Sequence, residues 1–109
     1  MMNEFDAKLE AFRAKVEADQ RARYIAEYGQ DKFHVHEMHT VAKIKLGGKY
    51  AKVDVGTSGK YMVEMDTGRI FGIKAYGVIH RGHQYGDLDT IANYDWGGYV
   101  GVKRAQVAA

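Results

Sequence analysis

Phe5, Leu9, Phe12 and Val16 recur at steps of four, three and four, which stacks them on one face of a helix over residues 3–28. Asn3 is placed to cap that helix, acidic Glu4 and Asp6 sit in its first turn, and Gly29 is its natural stop. Past Val16 the stripe is interrupted by Gln20 and Arg23, while Tyr24, Ile25 and Tyr28 are rotated around the axis. The second half is therefore expected to pack differently from the first, or to meet a partner.

From residue 33 the pattern changes to alternation. DKFHVHEMH alternates over a short run and reads as an extended segment. VAKIKLGGKYAKVDVG predicts a hairpin turning at Gly47-Gly48, with Leu46 opposite Lys49, Lys45 opposite Tyr50 and Lys43 opposite Lys52. Ala42, Ile44, Leu46, Ala51, Val53 and Val55 then share one face, and Lys43, Lys45, Tyr50, Lys52 and Asp54 share the other. KYMVEMDTGRIFGIKAYG predicts a second hairpin with Asp66-Thr67-Gly68 as its turn and Gly68 left-handed; its return strand sets Phe71 and Ile73 against Lys74 and Tyr76. VIHRGHQY reads as a strand end and a glycine turn at an exposed edge. Beyond it come a short helix near residues 88–95, capped by Asp87 or Asp89, a last short strand, and a frayed tail over 104–109.

These elements make an α+β fold in one domain over residues 1–109: a long N-terminal helix packed on an antiparallel sheet of four or five strands, with one short C-terminal helix. Twelve of the 13 glycines lie from residue 47 onward, as expected of a helix followed by hairpins. There is no cysteine, which excludes disulfides, thiolate metal sites and thiol nucleophiles. No apolar run approaches the ~18 residues of a membrane span, and the acidic MMNEFDAKLE does not read as a signal peptide. A soluble cytoplasmic protein with no membrane partner is expected. The net charge of +2 is unevenly spread: acidic residues exceed basic ones up to residue 31, and basic exceed acidic beyond it. The mildly basic remainder suits phosphates or acidic protein surfaces.

Three groups of residues could carry chemistry. His34, His36 and His39, with Glu37, would on a strand turn two imidazoles to one side, as some metal sites do; we read them as plain histidines with no metal. His80, Arg81, His83 and Tyr85 supply the types a histidine-dependent hydrolase needs, but spacing alone does not make them converge, so no catalytic residue is assigned. Lys43, Lys45, Tyr50 and Lys52 form a basic face with an aromatic in it, with Glu64 as compensating charge, and suit contact with a phosphate backbone or an acidic protein patch. With eight tyrosines in 109 residues, and Tyr76, Tyr85, Tyr94, Trp96 and Tyr99 crowded near His80 and Arg81, the last third has the residue types of binding hot spots. They serve equally as the filling of a small sheet protein.

KYAKVDVG, SGKYMVEMDTGRIFGIKAYG and YGDLDTIANYDW resemble a recurrent segment of small, uncharacterised phage and prophage proteins. In kind such proteins are similar to the anti-defence proteins of mobile elements, among them the type II anti-CRISPR inhibitors of Cas9. The resemblance implies stoichiometric binding to a host defence protein or nucleoprotein, such as Cas9 with its guide RNA, without a cofactor. Lys43, Lys45, Tyr50 and Lys52, or Tyr76, His80, Arg81, His83 and Tyr85, would be the contact residues. A small nucleic-acid-binding module is the alternative, a histidine-dependent hydrolase the next, and a homodimer is compatible with all three.

Overall fold

The computed structural model describes residues 3–75, 78–97 and 102–103; Tyr76, Tyr99 and the 104–109 tail, all assigned roles above, lie outside the described residues. The apolar stripe forms α1 (Glu4–Tyr28), with Leu9, Phe12 and Val16 buried. Its N-terminus is capped as expected, the Asn3 side chain accepting the Asp6 N–H at 2.8 Å, a cap contributing about 1 kcal/mol. Gly29 ends the helix at φ +89°, a conformation that favours glycine, and its N–H returns to the Ile25 carbonyl.

The segment after Gly29 differs from expectation. DKFHVHEMH is not extended: it forms α2 (Gln30–His36), followed by a 3-10 turn over Glu37–Thr40. Alternation over so few residues does not separate strand from helix, and side-chain packing decides. Phe33 is buried against the Tyr24 ring at 6.2 Å, with the Arg21 guanidinium 5.0 Å above it. Tyr24 also meets Tyr28 and His36. The second half of α1 thus packs against α2, which accounts for the break in the stripe.

Five strands follow: β1 (Ala42–Leu46), β2 (Tyr50–Val55), β3 (Ser58–Glu64), β4 (Arg69–Ala75) and β5 (Val78–Asp87). They form one antiparallel sheet in sequence order, so β1 and β5 are its edges. The first hairpin turns one residue later than predicted. Leu46 faces Ala51, Lys45 faces Lys52 and Lys43 faces Asp54. The Gly47 N–H closes the turn on the Tyr50 carbonyl at 3.0 Å, and a Cβ at residue 47 would stand 2.7 Å from that oxygen. The shift gives Lys43 the opposite charge of Asp54 and moves the like-charge apposition of Lys52 from Lys43 to Lys45. Because each partner moves by two residues, the two faces are unchanged. The second hairpin turns as expected, with Gly68 at φ +75° and its N–H on the Glu64 carbonyl.

On the inner face Ala51, Val53, Tyr61, Val63 and Ile70 join Leu9, Phe12 and Val16 of α1 in the core. The chain beyond β5 completes the lid. The short C-terminal helix is a single 3-10 turn, Ile91–Asn93, and β6 (Tyr94–Asp95) pairs with β7 (Val102–Lys103). Trp96 is fully buried, its ring 4.8 Å from Phe12 and 5.1 Å from Tyr61. Asp19 accepts the Trp96 N–H at 3.1 Å and Gln20 donates to the Trp96 carbonyl at 2.7 Å. Gln20, which breaks the apolar stripe, holds backbone in place. Farther up α1, Glu17 accepts the Ala42 N–H at 3.0 Å and Arg13 donates to the Ala42 carbonyl at 3.1 Å. Part of the β1 edge is thereby closed to another strand.

Candidate functional site: the outer face of the sheet

Alternation along β1 and β2 puts Lys43, Lys45, Tyr50, Lys52 and Asp54 on the face turned away from α1, since Ala42, Ala51, Val53 and Val55 occupy the core. Reading across the strands, Lys45, Lys52, Met62, Phe71 and Gln84 stand in one row. Met62 and Phe71, 5% and 6% exposed, are buried but lie outside the helix-side cluster. The outer face thus has a small apolar centre with lysines along one side. Glu64 faces Tyr50 across the ladder and accepts the Thr67 hydroxyl at 2.6 Å, so the acid opposite a lysine is Asp54 rather than Glu64.

The stretch expected to turn at Gly82 remains within β5. Phe71 faces Gln84 while its neighbour Gly72 faces His80, so Arg81, Gly82 and His83 are extra residues bulged from the ladder. The bulge separates side chains that are adjacent in sequence. Arg81 reaches the outer face, where its Nη2 donates to the Tyr50 hydroxyl at 3.1 Å. His83 lies on the inner side, its Cβ beside Gly72 together with the Tyr85 hydroxyl. Tyr85 is only 9% exposed and belongs to the core, meeting Tyr61 edge to face at 5.9 Å. It is a core residue, not a contact on the outer face. Burial pushes the Tyr85 phenol above its ordinary range, and pushes Tyr61 up further.

The two expected contact groups are therefore regrouped. Lys43, Lys45, Tyr50 and Lys52 are joined by Arg81, and by Lys49, whose ammonium stands 5.6 Å from the Tyr50 ring centre. Lys49, which the sequence reading passed over, precedes Tyr50 directly, and that adjacency was the available signal. Lys43, Lys45, Lys49 and Arg81 form no ion pair with another described residue. Their charge is open to a partner.

The histidines take other arrangements. His80 and His83 stack with centroids 3.9 Å apart and planes 10° from parallel, and His80 Nδ1 is buried without a hydrogen-bond partner among the described residues. Arg81 points to the opposite side, so the three do not converge. His34 and His36 lie on α2, where residues two apart point in nearly opposite directions. His36 instead meets His39 at 5.4 Å. Among the described residues no three His, Asp or Glu side chains form a group able to hold a metal ion, and no described helix is long and apolar enough to cross a membrane.

At one end of the face, a cavity of about 420 Å³ opens beside Lys43, lined also by Met38, His39, Val41, Val55 and the turn over residues 56–58. It depends on the 3-10 turn that alternation had disguised as strand. No family model, curated protein or solved structure matches the chain.

Proposed function

We propose that the chain is a binding protein that acts by covering an anionic surface of a nucleoprotein, without turnover. The partner implied by the resemblance to phage proteins is a host defence nucleoprotein, with guide-loaded Cas9 the first to try. The observation that carries the reading is the Arg81–Tyr50 hydrogen bond, which unites two segments 31 residues apart on the lysine-bearing face. Cations grouped around Tyr50 on one face steer an anionic partner toward it.

The test is the triple variant Lys43→Glu, Lys45→Glu, Lys52→Glu, assayed for inhibition of DNA cleavage by guide-loaded Cas9. The expected outcome is loss of inhibition with an unchanged circular dichroism spectrum; full retained inhibition removes this face. Tight binding of naked single-stranded DNA or RNA, falling linearly on a log–log plot against salt, would instead assign the face to a nucleic-acid-binding module.

A further inference from the structure

Lys43 belongs at once to the basic face and to the wall of the 420 Å³ cavity. Met38, Val41 and Val55 supply its apolar walls, His39 and the residues 56–58 complete it, and the lining contains no carboxylate. Two of these wall residues are open to water, Met38 at 68% and Val41 at 37% exposure. Large apolar side chains grouped in water at the mouth of a cavity mark a contact site more often than accident.

We propose that this cavity takes an apolar side chain from an acidic peptide segment of the partner, whose carboxylates lie along Lys43 and Lys45. The proposal rests on the reading of the outer face as a contact surface, and specifies the chemistry that face recognises. Charge complementarity selects the segment: Lys43 stands in the cavity wall, and from it the strand runs to Lys45, which faces Lys52, so the outer face is cationic in that direction, while Asp54 is opposite Lys43 in the ladder. The cavity selects its anchor, because its methionine and valine walls offer a leucine-sized group a burial that a phosphate backbone cannot use. A neighbouring acid on the peptide then meets Lys43 at the rim, where the pair orients the anchor and speeds encounter.

The test uses the full chain and three probes: a short acidic peptide with a central Leu-Leu pair, the same peptide with Ser-Ser, and oligo-dT of similar charge. Fluorescence anisotropy is expected to rank the Leu-Leu peptide about tenfold or more above the Ser-Ser peptide, equivalent to at least one order in Kd. Met38→Ser and Val41→Ser should each erase most of that difference, and the exposure of both residues leaves the fold intact. The Met38 methyl resonance should shift with the Leu-Leu peptide and stay in place with the Ser-Ser peptide.

Equal affinity for the two peptides, an unmoved Met38 methyl, or a preference for oligo-dT overturns the proposal. Each such result leaves the basic-face reading standing if the triple lysine variant still loses inhibition. Conversely, a cavity that discriminates between the peptides, combined with full inhibition by the triple variant, keeps the peptide site and removes the nucleoprotein reading.

Discussion

On the side of the sheet facing α1, Val53, Val63 and Ile70 are fully buried and Tyr61 nearly so, while on the side facing away Lys43 and Lys45 are exposed and Arg81 reaches across to Tyr50. Both sides are built from the same strands, one residue apart. The inner side is held by packing and by polar clamps from α1: Glu17 and Arg13 on Ala42, Asp19 and Gln20 on Trp96. On the outer side, strand register sets the positions, and among the described residues the Arg81–Tyr50 bond ties β5 to β2 across it. Substitutions on the inner side should therefore act on stability, and those on the outer side on binding.

The largest separation should come from Trp96→Ala. Trp96 touches Phe12, Tyr61, Tyr85 and Tyr94, and its indole N–H bonds the Ile91 carbonyl at 3.0 Å. Removing a buried aromatic of this size costs about 3–5 kcal/mol, to be read from the urea midpoint. A change below about 1 kcal/mol would show that the two sides are not divided as described.

Tyr61→Phe probes the inner side by pH. The Tyr61 hydroxyl is buried without a hydrogen-bond partner among the described residues, so its removal should change stability near pH 7 by less than about 1 kcal/mol. Burial first, then the nearby Tyr85, Asp95 and Asp19, raises its pKa above the ordinary value of 10.0. The unfolded chain then loses this proton before the folded one does. The stability associated with the neutral phenol is complete below pH 10 and falls as the pH rises beyond it. Chemical denaturation at a series of alkaline pH values should show a shallower decline in the Phe variant, with Tyr85, also raised by burial, acting in the same direction as Tyr61.

The smallest effect belongs to the outer side. Lys45 stands directly opposite Lys52, and like charges so placed destabilise a sheet by a few tenths of a kcal/mol. Lys45→Glu should thus raise stability by about 0.2–1 kcal/mol while weakening partner binding, a pairing of signs that an inner-side substitution does not produce. A drop in thermal midpoint would show that Lys45 supports the fold.

Residues whose partners repeat locally were legible in the sequence. The spacing of Phe5, Leu9, Phe12 and Val16 needs only the helical period. The lysine face was recovered although the hairpin turn was placed one residue early, because an even shift in register preserves faces. Gln30–His36 was illegible because Phe33 and Val35 alternate like strand residues, and only the Tyr24 and Arg21 contacts favour the helix. The bulge at Arg81–His83 depends on how β5 pairs with β4, and the Arg81–Tyr50 bond joins distant segments. Neither leaves a periodic trace. The cavity beside Lys43 was hidden for the same reason as the turn that forms it.

Trp96 is the sole tryptophan of the chain, and the bonds that hold it to Asp19 and Gln20 join residues 77 and 76 positions apart. Every pairing within the sheet is between consecutive strands, so the meander can assemble by local zippering, whereas this contact closes one of the longest loops. Intrinsic fluorescence therefore reports one event in folding, the docking of the C-terminal segment onto α1, separately from the helix and strand signal of circular dichroism.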